Sequence, residues 1–395
     1  MDNDLRASWN RLCDTLKESA DYIFDPELGA DHSEQAEGLR HQLRMFYWAT
    51  DRILENSDTD RPELGWTYPF KVGQDNPDAL YQSAPVDLSH TYRLTGRIDT
   101  VRYLGLSLMD YRFGRGKITQ LLDVGSPDLT DIGGGRIDII FSPDPDPGDH
   151  IGDWFQVDPI ECRLFVRQFF SDWAAESHAE LYFECLDPAG PPGRLDPVRA
   201  CEMFDEAARE VDTVPKYWTH FARNQRDRGQ INSFDHIPAR KVSQSAEGGS
   251  EKQSYGQCWY EVGTDEALLF EVTPPDCLYW NIQVGDTWYQ SLDFVNLPTT
   301  MNDSQARVDS DGVLRVVISH EDPGIQNWIA LGGCPQGAIT YRWNNADSAP
   351  VPTLRLLSAS EVADHLHPDT PRLSTNERAA IDAERRRHAL RRFMR

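Results

Sequence analysis

Apolar and polar positions change their period four times along this chain. Leu5, Trp9, Leu12, Leu16 and Ile23 recur at helical spacing, which predicts an amphipathic helix over 4–24. Leu39, Leu43, Phe46, Tyr47 and Ile53 predict a second helix over about 34–57. A connector punctuated by Pro and Gly covers 58–75, and from Ala79 the pattern becomes short alternating runs. Tyr92–Thr95, Tyr103–Met109, Arg136–Ser142, Leu164–Phe170 and Leu181–Cys185 read as strands, with Asp-Gly and Gly-Gly-Gly pieces at the hairpins. Helical period returns at Asp196-Pro197, since Pro suits a first helical turn; that helix runs to about 226 with a break expected at Pro215. A second set of alternating runs occupies Tyr255 to about Leu357, and a helical, Arg-dense tail follows.

The two alternating regions say nearly the same thing. Gly135-Arg-Ile-Asp-Ile-Ile-Phe-Ser142 leads through Asp-Pro-Gly to Asp153-Trp154 and then to Leu164-Phe-Val-Arg167. Gly312-Val-Leu-Arg-Val-Val-Ile-Ser319 leads through Asp-Pro-Gly to Asn327-Trp328 and then to Ile339-Thr-Tyr-Arg342. Tyr103–Leu108 matches Tyr279–Val284, again about 176 residues apart. A period-two strand covers one face only, so two such units would bury their faces together. The expected fold is mainly β: a duplicated antiparallel unit forming a sandwich or jelly-roll-like body, with helices at the N-terminus, in the centre and at the C-terminus, capping open edges. The segments are 1–60 helical, 61–190 first β unit, 191–254 helical insert and loop, 255–357 second β unit, and 358–395 helical tail. The small polar run 244–253 suits a mobile loop or lid.

Composition narrows the function classes. The chain has 395 residues, 39% hydrophobic and 10% aromatic, which is globular and not disordered. A formal charge of −25 argues against nucleic acid and against an anionic membrane surface. No run is long enough to span a bilayer, and Met1-Asp-Asn-Asp-Leu lacks signal-peptide character. Seven cysteines, odd in number and without a C-x-x-C pair, suit a reduced cytoplasm.

The repeat also sorts residues. Those kept in both copies (Gly135/Gly312, Ser142/Ser319, Trp154/Trp328, Arg167/Arg342) are expected to serve the fold, each Trp plugging its sheet and each Arg pairing with an acidic neighbour. Residues present once are candidates for chemistry. His320-Glu321-Asp322 follows a strand and precedes a turn, so His320 is the expected base, with Glu321 or Asp322 as its orienting or acid partner. Asn327 and Arg342 would stabilise an anion, and Tyr279, Trp280 and Trp288 would wall the substrate. Metal binding is not expected: Asp144–His150 breaks the calcium-loop pattern with its prolines, and His365 and His367 lack a third ligand nearby in sequence. No phosphate-binding or nucleophile-elbow motif is present, so no cofactor is expected.

Five stretches together resemble the domain-of-unknown-function 1214 family: Asn76-Pro-Asp-Ala-Leu-Tyr81, Tyr92-Arg-Leu-Thr-Gly96, Val166-Arg-Gln-Phe-Phe-Ser-Asp-Trp173, Pro275-Asp-Cys-Leu-Tyr-Trp280 and Asp322-Pro-Gly-Ile-Gln-Asn-Trp328. They span roughly 65–345. The resemblance implies an all-β sandwich or jelly roll with helical additions and transfers no catalytic residues. The leading functional expectation is a cytoplasmic hydrolase, lyase or isomerase acting on a small organic substrate without a nucleotide cofactor. The alternative is a non-catalytic small-molecule-binding or assembly protein, with homo-oligomerisation left open.

Overall fold

The computed structural model describes residues 4–66, 71–112, 117–191, 193–234, 250 and 252–392. Most of the 244–253 loop lies outside the described residues. Four sheets account for the two alternating regions. Sheet I has the order β1 (Gly65–Trp66), β2 (Ala79–Asp87), β8 (Glu161–Phe169), β4 (Tyr103–Arg112), β5 (Lys117–Gly125). Sheet II runs β7 (Asp153–Gln156), β6 (Arg136–Ser142), β3 (Tyr92–Arg97), β9 (Glu180–Cys185). Sheet III runs β10 (Gln253–Glu261), β16 (Gln336–Asn344), β12 (Tyr279–Gly285), β13 (Thr300–Asn302). Sheet IV runs β15 (Trp328–Ala330), β14 (Leu314–Ser319), β11 (Glu266–Val272), β17 (Thr353–Ser358).

The duplication is therefore real in three dimensions. The order β2-β8-β4-β5 repeats as β10-β16-β12-β13, and β7-β6-β3-β9 repeats as β15-β14-β11-β17. Each unit even carries its own parallel pair, β6 with β7 and β14 with β15. Gly135 and Gly312 stand at φ +73° and +82°, the left-handed backbone that a tight hairpin asks of glycine.

The packing differs from the expected partnership of one sheet per unit. Each unit closes its own core: Leu104, Leu106, Leu164 and Val166 of sheet I meet Leu94, Ile137, Ile139 and Phe141 of sheet II. Leu268, Phe270, Val316 and Ile318 of sheet IV likewise meet Ile282, Val284, Ile339 and Tyr341 of sheet III. Two sheets per unit suffice to bury both inward faces, so the second faces of sheets I and III are left to meet one another. They meet through a stack of aromatic rings, Tyr103 on Phe169 and Phe169 on Tyr279, with centroids 5.6 and 5.4 Å apart.

The helices are α1 (Leu5–Glu18), α2 (His32–Thr50), α3 (Pro197–Asp227) and α4 (Thr375–Arg392). Asp31 caps α2 with a full capping box, and Asp196 caps α3 by accepting from the Val198 and Arg199 amides. α3 runs unbroken through Pro215, contrary to the expected break. Buried residues of α1–α3, among them Leu12, Trp48, Val211 and Trp218, pack against Trp259, Tyr289 and Ala338 and so cover part of the outer face of sheet III, not an open edge. α4 bridges the units. Arg378 binds Asp322 at 3.0 Å, while Arg392 lies over Trp173 at 4.2 Å and donates to the Pro77 carbonyl. No described helix is long and apolar enough to cross a membrane.

Candidate functional site at the seam between the β units

Strand alternation decides which side chains reach the seam between sheets I and III. On sheet I, Tyr81 (β2) and Arg167 (β8) are cross-strand partners; on sheet III, Tyr255 (β10) and Arg342 (β16) are cross-strand partners. The duplication thus carries a Tyr–Arg pair to each of the two facing surfaces. Burial foremost, countered by the Arg342 charge, pushes the Tyr81 hydroxyl up to about 12 and raises that of Tyr255, which also feels Arg167. Both phenols stay protonated at neutral pH, and the Tyr81 hydroxyl accepts from the Asn76 amide at 3.0 Å. Tyr81, Phe165, Arg167, Tyr255 and Gln257 are half-buried, and the Tyr103–Phe169–Tyr279 stack closes one end of the seam.

Arg342 is only 6% exposed, yet its partners are all neutral: Gln283 Oε1 at 2.6 Å, Asn281 Oδ1 at 3.3 Å and the Gln74 carbonyl at 3.1 Å. No ion pair joins it to a carboxylate among the described residues. This corrects the expectation of an acidic neighbour. The guanidinium carbon lies 5.5 Å from the centre of the Tyr255 ring. Across the seam, Arg167 donates to Ser107 at 2.8 Å; Ser107 and Ser250 donate to the two oxygens of Asp123, each at 2.8 Å.

The segment 71–78 is threaded between the two units and bonded at nearly every step. Asp78 is fully buried and accepts from Tyr279 OH (2.7 Å), Trp173 Nε1 (2.8 Å) and Asn302 Nδ2 (2.9 Å). Burial raises its carboxyl pKa and those donors pull it back. Asn76 accepts from Asn281 Nδ2 at 2.8 Å and donates to the Tyr279 hydroxyl at 3.0 Å. The Gln74 amide donates to the Tyr289 carbonyl at 2.7 Å, which ties this segment to the 286–291 loop.

These two loops also hold the backbone strain. Six described non-glycine residues have positive φ, and three of them are the Asp or Asn that tolerate it. The other three, Lys71 (+54°), Gln74 (+51°) and Tyr289 (+61°), all belong to this one junction. Beneath it lies a group of shifted ionisable residues. Asp286 accepts from the Trp288 and Gln290 amides, and burial pushes its carboxyl up to about 6. Lys71 donates to the Ser291 and Leu292 carbonyls at 2.6 and 2.9 Å, and burial lowers its pKa. His41 of α2 is fully buried; burial first and Arg44 second bring its pKa down to about 3, so it is neutral.

The residues expected from the repeat are dispersed. Tyr279 and Arg342 reach the seam. Trp280, one residue on, points the other way into the core of the second unit, edge-on to Trp343 at 6.1 Å. Trp288 is wedged under α2, donating to the Glu34 carbonyl at 2.8 Å. Asn327 brackets a turn: it accepts from the Arg307 amide at 2.9 Å and donates to the Arg315 carbonyl at 2.9 Å. His320, Glu321 and Asp322 lie beyond sheet IV, with the core of the second unit between them and the seam. His320 Nε2 sits 3.1 Å from the Val262 carbonyl, the exposed Glu321 accepts from Ser319 through its backbone, and Asp322 holds α4. The structure does not assemble His320, a carboxylate, Trp280 and Trp288 around one pocket, because β14 belongs to the outer sheet of its sandwich.

Two other groupings stand apart from the seam. A pocket of about 430 Å³ on sheet II is lined by Arg93, Asp138, His150 and Trp154, with Arg93 and Asp138 paired. At the edge of the same sheet His90, Cys185 and Asp187 converge, the one His/Cys/acidic set among the described residues with metal-ligand proximity.

The fold recurs in solved structures. An uncharacterized protein from Burkholderia cenocepacia is 31% identical, covering 89% of this chain and 97% of its own, with a TM-score of 0.84. This chain belongs to the same family as that protein. The VPA0106 protein from Vibrio parahaemolyticus shares the fold at 12% identity and TM-score 0.50, over 80% of this chain and 96% of its own. No family model matches the chain, and no curated protein does.

Proposed function

We propose that this protein binds a small organic anion, a carboxylate or phosphate compound, in the seam between its two β units. The observation that carries the reading is Arg342: a buried guanidinium with only neutral partners, beside a protonated phenol and facing a second Tyr–Arg pair. A planar guanidinium fork suits carboxylate or phosphate oxygens, and a low-dielectric wall strengthens the attraction. The protonated Tyr81 and Tyr255 would donate to the same oxygens. Three of the five stretches that resemble the 1214 family, those containing Asn76–Tyr81, Arg167–Trp173 and Tyr279, supply the seam. We accordingly group the chain with that family.

Binding is favoured over turnover because burial holds the seam's phenols protonated, far from neutrality. Acid/base turnover, the second reading, is favoured by Asp286, whose carboxyl titrates near 6 next to the strained junction. The test is a thermal-shift panel of organic acids and phosphate esters against the full chain. Stabilisation by at least one compound, lost in Arg342→Gln and reduced in Tyr255→Phe, supports the reading. No stabilisation, or equal stabilisation of both variants, overturns it. A turnover with a pH break near 6 that vanishes in Asp286→Asn would favour the second reading.

A further inference from the structure

We propose that His90, Cys185 and Asp187 form a divalent-cation site of the zinc type, separate from the seam. The three residues are far apart in sequence, but antiparallel pairing brings them together. Tyr92 and Cys185 are register partners at the end where β3 begins and β9 ends. His90 lies in the turn entering β3, and Asp187 is two residues beyond β9. The ligand atoms all lie within 4.8 Å of one another. His90 Nδ1 is 3.5 Å from Asp187 Oδ2, and Cys185 Sγ is 3.8 Å from Asp187 Oδ1. A zinc ion with bonds of roughly 2.0–2.3 Å and tetrahedral angles separates its ligand atoms by about 3.3–3.8 Å. The His90 and Cys185 donors approach the two oxygens of Asp187 at distances of that size, and small side-chain rotations would bring one oxygen to both.

The donor set decides the class of metal. One imidazole nitrogen, one sulfur and one carboxylate oxygen suit zinc or cobalt, and the sulfur disfavours magnesium and calcium. The Asp187 carboxylate is already oriented, because Oδ1 accepts from the Thr91 amide at 2.8 Å. His90 Nδ1 also lies 3.0 Å from the Asp187 carbonyl. Coordination places the ring proton on Nε2 and exchanges that contact for a metal bond, while the thiol proton passes to solvent. The side chains of His90 and Asp187 keep 24% and 56% exposure, so a fourth position faces water. Three protein ligands with an open fourth position are the arrangement of a site that can bind or polarise an oxygen ligand.

The internal repeat supplies an independent comparison. At the corresponding end of the second unit, where β17 leaves β11, the chain carries Ser358, Ala359 and Ser360, and the two hydroxyls bond each other at 2.8 Å. The same backbone corner is thus satisfied without sulfur or imidazole. The His/Cys/Asp set belongs to one copy only and is not required by the fold.

Cobalt(II) added to the chelator-stripped full chain is the direct probe. One equivalent is expected to bind with a sulfur-to-cobalt charge-transfer band and the intense visible bands of tetrahedral geometry. Cys185→Ser is expected to lose the charge-transfer band, and His90→Ala to weaken binding at least about 10-fold, while Cys277→Ser behaves as wild type. Neither ligand variant should change the thermal midpoint of the metal-free chain by much, since both sites are partly exposed. If Cys185→Ser fails to fold, His90→Ala, which lies outside any strand, carries the test. Absence of the charge-transfer band at stoichiometric cobalt, or its persistence in Cys185→Ser, overturns the assignment.

Discussion

Tyr255 and Arg342 are register partners across β10 and β16, and the Arg342 guanidinium lies 5.5 Å from the centre of the Tyr255 ring. The first unit places Tyr81 and Arg167 in the same relation across β2 and β8. Duplication has therefore built a two-sided polar surface where the outer faces of two sandwiches meet.

Arg342→Met is expected to destabilise the protein by about 2–4 kcal/mol, because it strands the buried acceptors Gln283 Oε1 and Asn281 Oδ1 and leaves the Gln74 carbonyl only Gln283 Nε2 at 3.4 Å. Arg342→Lys keeps the charge without the fork and should fall between Met and wild type. Urea denaturation at neutral pH measures both.

Asp286 gives a signed pH prediction. Its folded carboxyl, near 6, is raised above the unfolded value of 3.8, so the native state binds the proton more tightly. The contribution is fully present below the unfolded value and is lost as pH rises through 6, a swing of at most about 3 kcal/mol. Asp286→Asn cannot ionise. Its stability relative to wild type should climb between pH 4 and 6 and then level off; a flat difference across that window contradicts the shift.

Gly38→Ala should destabilise despite alanine's higher helix propensity. A methyl there would stand 2.7 Å from Trp288 Cζ2 and 2.9 Å from Ile23 Cγ2, and the indole is fixed by its bond to the Glu34 carbonyl. Overpacking of about 1–3 kcal/mol exceeds the ~1 kcal/mol propensity gain. Equilibrium unfolding of this single variant decides the sign.

Asp322→Ala should loosen α4 and leave the seam intact, since Asp322 pairs with Arg378 in the first turns of that helix. Amide hydrogen exchange should rise over 375–385 and remain unchanged over β10 and β16. His320→Ala, remote from the seam, should leave ligand-induced thermal stabilisation as in wild type.

Much of the fold was legible in the sequence because period-two alternation and a long-range repeat are local signals. Strand positions, the paired glycines and the three helical regions all follow from them. The packing partner of each sheet was not legible, since alternation marks two faces of a strand without saying what covers the second. The repeat was a mixed guide to the seam. Sharing placed Arg167 and Arg342 with the fold, although Arg342 was also expected to stabilise an anion, and it raised His320, which lies beyond sheet IV, because one copy has it. Extending the repeat by one strand would have shown Tyr81 and Tyr255 before those arginines at nearly the same separation. The threaded segment 71–78 carries no periodicity, and its strained residues Lys71 and Gln74 are not types that announce a left-handed backbone. His90, Cys185 and Asp187 were invisible for another reason: their proximity is created by strand pairing, not by spacing.

Native mass spectrometry of the full chain, purified without added ligand, tests the central claim most directly. A small organic anion should be retained at the seam in about equimolar amount by wild type, weakly by Tyr255→Phe and not by Arg342→Gln or Arg167→Gln. Retention of the same compound by the arginine variants, or retention only of uncharged or cationic molecules, would contradict an anion site between the two β units.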